Sequence, residues 1–188
     1  MTPAERAAAY NAAFPKRPPL AVSGRWVYGI WEIGNAYGGS SGYYGEYPRG
    51  YVERVRAMFP DMDPARTLHL FSGSYDGPGV RVDLKGEPRP TLRGDAARLP
   101  FRDGAFRFVM ADPSYSPADS KRYGVPHPNK KLVLRELARV VAPGGHLVWL
   151  DIPKPMYRKV EWRPWGTVGV LRSTNHRGRF AFMFERVR

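Results

Sequence analysis

Cysteine is absent from this sequence of 188 residues, which excludes disulfide bonds and cysteine-based zinc sites. No apolar run approaches the roughly 18 residues of a membrane-spanning helix. Residues 1–20 lack the apolar centre of a signal peptide, and the chain has no internal repeat. These absences predict a protein that has no membrane partner, and a cytoplasmic location fits them.

Acidic residues are scarce beside the basic ones. The 17 Asp and Glu stand against 30 Lys and Arg, which gives a net charge of +13 and a pI near 10.3. Such a surface attracts polyanions before any specific contact forms. Most of the basic residues are arginines, which bind phosphate in bidentate fashion and stack on bases. The composition therefore favours a nucleic-acid partner, although an arginine-rich proteome would produce a similar excess.

Hydrophobic residues make up 43% of the chain, enough for one domain with a core. We divide the chain into an N-terminal arm with a Gly/Tyr-rich loop, residues 1–47, and a main domain, residues 48–188. In the arm, residues 2–10 predict a short capped helix, and residues 25–33 predict a strand or hairpin arm. The loop at residues 34–47 is either disordered or closes over a ligand.

The main domain alternates short apolar strands with helices, a pattern typical of an α/β fold with a mostly parallel sheet. The last two strands are expected to form an antiparallel closing pair. One helix has an apolar face made of Leu132, Leu134, Leu137, Ala138 and Val141. The predicted helices cover residues 48–59 and 128–141, and the predicted strands cover residues 67–71, 80–84, 91–95, 106–111, 146–150, 168–172 and 179–187.

Three aspartates, Asp83, Asp95 and Asp112, come at the ends of three of these strands. In an open parallel sheet the carboxyl ends of the strands share one edge, where ligands bind. Carboxylates there can accept hydrogen bonds from ribose hydroxyls or from an adenine amino group. A single aspartate at such a place is often only a turn former. Three could instead bind Mg²⁺, but no lysine-containing phosphate loop accompanies them, and we predict no metal site.

Several motifs, taken in order, resemble class I S-adenosylmethionine-dependent methyltransferases. Residues 94–101, GDAARLPF, and residues 137–151, LARVVAPGGHLVWLD, are typical of that fold. Residues 111–115, ADPSY, resemble the motif Asp/Asn/Ser-Pro-Pro-Tyr/Phe/Trp of enzymes that methylate amino groups in nucleic acids. HLFSGS at residues 69–74 and VDL at residues 82–84 complete the resemblance, which covers roughly residues 44–187.

The resemblance implies a single-domain Rossmann-like sheet, mostly parallel with an antiparallel C-terminal strand, and with reduced helices on one edge. It also implies S-adenosylmethionine as the cofactor and an exocyclic amino group as the acceptor, N6 of adenine in DNA above all. The implied cofactor contacts are Tyr47, Phe71, Ser72, Gly73, Ser74, Asp83, Asp95, Ala96 and Asp112. The implied catalytic residues are Asp112, Pro113, Ser114 and Tyr115.

The chemistry of these residue types suits that reaction. Asp112 and the Pro113 carbonyl can each accept an N–H of the target amino group, and Tyr115 can stack on a base swung out of its helix. Transfer would then be direct and would depend on positioning and electrostatics. The lack of cysteine excludes the covalent route to C5 of cytosine.

The sequence departs from the family pattern in three places. Ser114 replaces the usual second proline, and the glycine-rich cofactor loop is reduced to Gly73 with its neighbours. About eight residues separate Ser72 from Val80, too few for a crossover helix. These 188 residues predict no separate recognition domain, so we expect recognition to fall to the loops at residues 116–129, 153–164 and 173–178. The candidate substrate contacts are Tyr44, Lys121, Arg122, Tyr123, His176 and Arg177.

Two other functions stay open on the sequence. A degenerate methyltransferase fold could bind nucleic acid or support an active partner subunit, which Ser114 and the shortened cofactor edge favour. A small-molecule or protein methyltransferase would share the motif at residues 94–101. The aromatic residues at 25–33 could form the interface of a homodimer or could simply be an arm folded over the core.

Overall fold

The computed structural model describes residues 1–34, 45, 47–87, 89–172 and 175–187. Its helices are α1 (Pro3–Ala13), α2 (Tyr51–Met58), α3 (Pro117–Tyr123) and α4 (Lys130–Val140), with a 3-10 turn at Pro64–Arg66. Its strands are β1 (Ala21–Ser23), β2 (Trp26–Ile33), β3 (Leu68–Leu70), β4 (Val80–Asp83), β5 (Leu92–Arg93), β6 (Phe106–Ala111), β7 (Val141–Asp151), β8 (Trp162–Arg172) and β9 (Asn175–Arg186).

All nine strands belong to one sheet, in the order β1-β2-β8-β9-β7-β6-β3-β4-β5. The run β7-β6-β3-β4-β5 is parallel throughout, and β2 also pairs parallel with β8. The strand β9 runs antiparallel to both of its neighbours, and β1 runs antiparallel to β2. The predicted α/β fold, mostly parallel with an antiparallel C-terminal strand, is confirmed.

Hydrophobic side chains cover both faces of the sheet. The first core lies under α1 and α2, and the α2 residues Tyr51, Val52, Val55 and Met58 are buried there. The second core lies under α4. This two-sided burial explains why the central strand β6 is almost entirely apolar, with only Arg107 exposed.

The N-terminal segment packs closely on the first core. Thr2 and Glu5 form a capping box at the start of α1. Arg6 is 1% exposed and binds the Asp61 carboxylate through two hydrogen bonds of 2.7 and 2.9 Å. Its guanidinium also lies over the Phe59 ring, 4.4 Å from the ring centre. The strand predicted at residues 25–33 is confirmed as β2. The proposed boundary at residue 47 stays a prediction, and β1 and β2 extend the same sheet as the main domain.

Two parallel connections lack helices, as the short spacings predicted. The chain passes from β3 to β4 through residues 71–79 and from β4 to β5 through residues 84–91, with turns and bends in their described parts. The helices are therefore reduced on the edge that carries β4 and β5. This leaves the carboxyl ends of those strands close to their own connecting loops.

Four local expectations were wrong in detail. Leu132 was expected to face inward, but it is 47% exposed and Val133 is buried in its place. Leu132 lies about 200° around the helix from Leu134, whereas Val133 lies one turn before Leu137 on the buried face. Pro48 lies before α2, which begins after Gly50. The segment 116–129 contains α3, which Ser116 caps. The helix predicted to continue to residue 141 ends at Val140, because β7 begins at Val141.

Candidate functional site

The carboxyl edge of the parallel strands brings the predicted aspartates together. Leu70 of β3 pairs with Val82 on one side and Ala111 on the other. Asp83 and Asp112, which follow these partners, therefore lie at the same level on either side of the loop after β3. Asp95 follows β5, next to β4. The sheet order thus places all three on one edge, as a parallel sheet requires.

The loop after β3 has an unusual backbone. Phe71 has φ +56° and Gly73 has φ +51°, in the left-handed region that residues with a Cβ rarely adopt. The Gly73 N–H donates to Asp83 Oδ2 at 2.9 Å, and Lys85 N–H donates to Asp83 Oδ1 at 2.9 Å. Backbone strain of this kind persists where the surroundings hold it, and it is often found at ligand sites. Asp83 thus ties the loop to β4.

One buried polar atom in this loop has no hydrogen-bond partner in the described part of the chain. It is the Ser72 hydroxyl, and the residue is 1% exposed. A buried polar group without a partner is costly unless a ligand or water satisfies it. The neighbouring Ser74 N–H donates to Gly45 O at 3.0 Å. The loop is therefore joined to the chain just before Tyr47.

The outer end of the site is formed by Asp95 and Ala96. Asp95 is exposed, and its Oδ1 accepts a hydrogen bond of 2.9 Å from Ala97 N–H. Ala96 is buried against the core under α4. A turn of this kind presents the carboxylate to solvent while its own backbone stays ordered.

The Asp-Pro-Ser-Tyr loop follows β6 directly. Tyr115 Oη donates to Asp112 Oδ1 at 2.6 Å, which fixes the orientation of the carboxylate. Burial, and then the negative charge of Asp112, hold the pKa of Tyr115 well above its ordinary value. The phenol is therefore neutral and remains the donor at physiological pH. The Arg179 guanidinium covers the ring, 4.8 Å from its centre.

Side chains from α3 and α4 support this loop from behind. Ser114 Oγ lies 2.5 Å from Ser120 Oγ, and Ser120 Oγ lies 2.9 Å from His127 Nδ1. Lys130 Nζ contacts the Tyr115 carbonyl at 3.5 Å and forms an ion pair of 2.7 Å with the fully buried Asp151. Ser114 is thus held by hydrogen bonds where the family motif has a proline ring.

Tyr47, a predicted cofactor contact, is buried. It is 7% exposed and stacks on Tyr51 with ring centres 5.7 Å apart. Its hydroxyl lies 3.3 Å from His69 Nδ1 and donates to the Met110 carbonyl at 3.4 Å. Burial, and then the charge of Asp112, raise the pKa of Tyr47 well above its ordinary value. The residue therefore packs beneath the edge that carries Asp112.

The structure brings some of the candidate substrate contacts to this edge. Lys121 and Arg122 are exposed on α3, and the Tyr123 carbonyl accepts a hydrogen bond from Lys85 Nζ. The carboxyl end of β7 is marked by Asp151, which pairs with Phe180 of β9. The hairpin of β8 and β9 projects about three residues, roughly 10 Å, beyond this pair. The backbone of His176 and Arg177 belongs to this projecting part. Their side chains and the whole of Tyr44 lie outside the described residues.

Comparison with known proteins shows which fold this architecture resembles. No protein-family model matches the chain. Over 106 residues the chain is 32% identical to phthiotriol/phenolphthiotriol dimycocerosates methyltransferase 1 of Mycobacterium ulcerans (strain Agy99), a match that covers 52% of this chain and 34% of that protein. TrmN from Thermus thermophilus superposes on it with a TM-score of 0.52 at 17% identity, covering 72% of this chain and 48% of that one. The fold is that of class I methyltransferases.

The match to this fold is partial in length. The chain spans about a third of the curated relative that it matches and about half of TrmN. A third protein, geranyl diphosphate C-methyltransferase from Streptomyces coelicolor A3(2), was solved in complex with Mg²⁺, geranyl diphosphate and S-adenosyl-L-homocysteine. The superposition covers 98% of this chain and 97% of that protein, with a TM-score of 0.47 and 11% identity. A similarity this low gives no information about the substrate.

Ligands of an open α/β sheet bind at this carboxyl edge, and the residues present fit S-adenosylmethionine. Each oxygen of Asp83 accepts one backbone hydrogen bond, and a carboxylate oxygen has room for a second donor such as a ribose hydroxyl. The unpartnered Ser72 hydroxyl can bind the polar amino-acid end. Asp95 offers an exposed acceptor for an amino group. These roles remain predictions.

Sequence reasoning missed several residues of the site. Arg179, Ser120, Lys130 and Asp151 all contact the Asp-Pro-Ser-Tyr loop or its supports. Asp151 carried a signal, because it is a fourth aspartate at the end of an apolar strand. Arg179 carried a weaker signal, because it follows the recognition loop predicted at residues 173–178. Ser120 and Lys130 carried none, since only the packing of α3 and α4 brings them to the loop.

The described residues contain neither a candidate metal cluster nor a candidate membrane-spanning helix. No group of three or more His, Asp or Glu side chains there is arranged to hold a metal ion. None of the helices there combines the length and the apolar character that crossing a membrane requires.

Proposed function

We propose that this protein is an S-adenosylmethionine-dependent methyltransferase that acts on an exocyclic amino group of a nucleic-acid base, with N6 of adenine in DNA as the first candidate. The observation that carries the proposal is the Asp-Pro-Ser-Tyr loop at the carboxyl end of β6, level with Asp83 across β3. The net charge of +13 supports a polyanionic substrate. We further propose that the protein works in the cytoplasm.

The chain's own groups have distinct tasks in this proposal. Asp112 accepts one N–H of the target amino group, and the Pro113 carbonyl accepts the other. Together they orient the nitrogen lone pair, which is otherwise delocalised into the base. Tyr115 holds the Asp112 carboxylate through its hydroxyl and presents its ring to the base. These contacts act through positioning and electrostatics.

The cofactor would lie along the neighbouring strand ends. S-Adenosylmethionine supplies an electrophilic methyl group on a sulfonium. Asp83 would accept the ribose hydroxyls, Asp95 and Ala96 would contact the adenine, and the loop from Phe71 to Ser74 would hold the amino-acid end. Asp112 and Tyr47 border the same place.

A small-molecule methyltransferase is the second candidate, and one observation favours it. The curated relative that is 32% identical over 106 residues is a methyltransferase named for phthiotriol and phenolphthiotriol dimycocerosates. In that case Asp112 would orient or deprotonate a hydroxyl group. The partner-subunit alternative would predict nucleic-acid binding without transfer by the isolated chain.

The decisive experiment supplies labelled S-adenosylmethionine with mixed DNA, mixed RNA and a set of phenolic and hydroxylated lipids. We expect label in nucleic acid, and nucleoside digestion then identifies the base. Label in a lipid fraction would establish the second candidate, while binding without transfer would favour the partner-subunit reading. An Asp112→Ala protein, treated in parallel, separates transfer at this site from contamination.

The hydrogen-bonded support of Ser114 leads to a prediction about loop order. Ser120→Ala removes the partner that lies 2.5 Å from Ser114 Oγ, and we expect transfer to slow about tenfold, since small displacements of reacting groups are costly. In a Ser114→Pro background the same change is expected to cost less than about twofold, because the proline ring restricts the loop by itself.

The measurement is a four-protein cycle of rates, together with hydrogen exchange of residues 106–120, which does not depend on activity. We expect faster exchange in Ser120→Ala and restored protection in the double variant. Equal losses in both backgrounds would show that Ser120 acts independently of Ser114.

A further inference from the structure

Arg179 differs from the other arginines in the interior of this protein. Seven arginines of the described ranges are buried or half-buried, and six of them donate hydrogen bonds to protein groups. Those six are Arg6, Arg54, Arg56, Arg81, Arg139 and Arg186. Arg179 is half-buried, donates none within the described part of the chain, and its Nε atom is fully shielded from solvent without a partner.

The position of Arg179 is equally specific. It precedes Phe180, which pairs with Asp151 at the carboxyl end of β7, so it stands just beyond the edge of the parallel strands. Its guanidinium lies over the Tyr115 ring, 4.8 Å from the ring centre. Tyr115 in turn binds Asp112. A cation that has no carboxylate partner among the described residues is therefore held beside the predicted acceptor of the target amino group.

Such an arrangement is costly without a ligand. A half-buried guanidinium gives up part of its hydration, and an aromatic ring returns only part of that energy. Guanidinium matches the oxygens of a phosphate group in geometry and charge, and arginine is the residue that most often does so in bidentate fashion. The net charge of +13 favours the same class of ligand.

We propose that Arg179 binds a backbone phosphate of the nucleic-acid substrate next to the base that enters the site. The inference rests on the proposed function and adds the group that holds the strand. The Tyr115 ring packs against the Arg179 guanidinium and orients it, so that the stacked pair can contact both the base and the phosphate of one nucleotide. Tyr115 contacts the base while Arg179 contacts its phosphate.

The test measures binding alone, by fluorescence anisotropy of a labelled single-stranded oligonucleotide over a series of salt concentrations. Arg179→Gln is expected to weaken binding about tenfold. It should also reduce the salt slope by about one phosphate contact, roughly 0.7 in log–log units for a single strand. Arg179→Lys keeps the charge and should keep most of the slope.

Arg163→Gln is the matched control. Arg163 lies on β8 and forms an ion pair of 2.9 Å with Glu185. Arg163 also lies opposite Glu185 in the pairing of β8 with β9, far from the hairpin tip. Replacing Arg163 should therefore leave the salt slope of binding unchanged. Circular dichroism shows whether each variant folds. If Arg179→Gln is unstable, the salt slope of Arg179→Lys provides a second measurement.

The outcomes separate this inference from the proposed function. An unchanged salt slope in Arg179→Gln, with wild-type protein that binds the strand, would overturn the phosphate contact and leave Arg179 as a support of Tyr115. A wild-type protein that binds no nucleic acid would overturn both proposals. A reduced salt slope in Arg179→Gln, combined with a wild-type protein that transfers no methyl group, would overturn only the proposed function.

Discussion

Replacing Asp112 by alanine is expected to lower the rate of methyl transfer about 10³-fold and to weaken the binding of S-adenosylmethionine by much less, about tenfold or under, because Asp112 only borders the cofactor. The change removes the acceptor that orients the target nitrogen, and loss of one such preorganised contact commonly costs 10²- to 10³-fold. It also leaves Tyr115 Oη without the partner that lies 2.6 Å away. The tyrosine is then free to rotate, which adds to the loss.

Asp112→Asn provides a graded comparison. The amide keeps an acceptor oxygen at the same place but loses the negative charge, so we expect a loss of only about 10- to 100-fold. Asp103→Ala is a suitable control, because Asp103 lies on a turn before β6 and its side chain is 80% exposed. Single-turnover rates and cofactor titration measure the two effects separately. An Asp112→Ala protein that keeps more than about a tenth of wild-type activity would exclude Asp112 from the reaction.

Lowering the pH from 7 to 5 is expected to reduce the free energy of unfolding by about 3–4 kcal/mol, through two buried histidines. Burial, and then the positive charge of Arg56, lower the pKa of His69 from 6.5 to about 4. Burial, and then Arg6, lower the pKa of His146 from 6.5 to about 4. Both side chains are at least nine-tenths buried, at 1% and 9% exposure.

The direction follows from proton binding. Between pH 6.5 and pH 4 the unfolded chain binds protons at these two sites and the folded chain does not, so stability is complete above pH 6.5 and falls as the pH approaches 4. Each site contributes about 2 kcal/mol of this loss at pH 5. Carboxylates contribute little at pH 5, because their ordinary pKa values lie near 4.

Urea unfolding at the two pH values measures the effect. A protein with both His69→Asn and His146→Gln is expected to lose about 1 kcal/mol or less between pH 7 and pH 5, even if it is less stable throughout. A pH dependence in the double variant that equals that of the wild type would assign the effect to other groups.

Both histidines also illustrate what sequence patterns miss. His69 lies in the middle of the predicted strand at residues 67–71, and His146 begins the predicted strand at residues 146–150. In the structure His69 packs on Tyr75, with ring centres 4.4 Å apart, and His146 lies 3.3 Å from the Arg6 guanidinium. Arg6 reaches it from α1, which is 140 residues earlier in the chain. Only the folding of α1 onto β7 creates that contact.

Local sequence determined the strands, the order of the motifs and the edge on which the aspartates lie. Apolar runs such as Phe106–Ala111 are buried on both faces of a sheet wherever they occur, and parallel pairing brings their ends to one edge. The missing crossover helices also followed from spacing alone, because about eight residues cannot contain a helix and two turns.

The tertiary structure alone decided which side chains surround Asp112 and how the N-terminal strands join the sheet. Arg179, Ser120 and Lys130 are separated from Asp112 by different numbers of residues, and no period in the sequence links them. Pairing of β2 with β8, and of β9 with β7, depends on distant partners whose register is set by packing on both faces. Long-range packing of this kind leaves no local signature, whereas hydrophobic alternation and turn chemistry do.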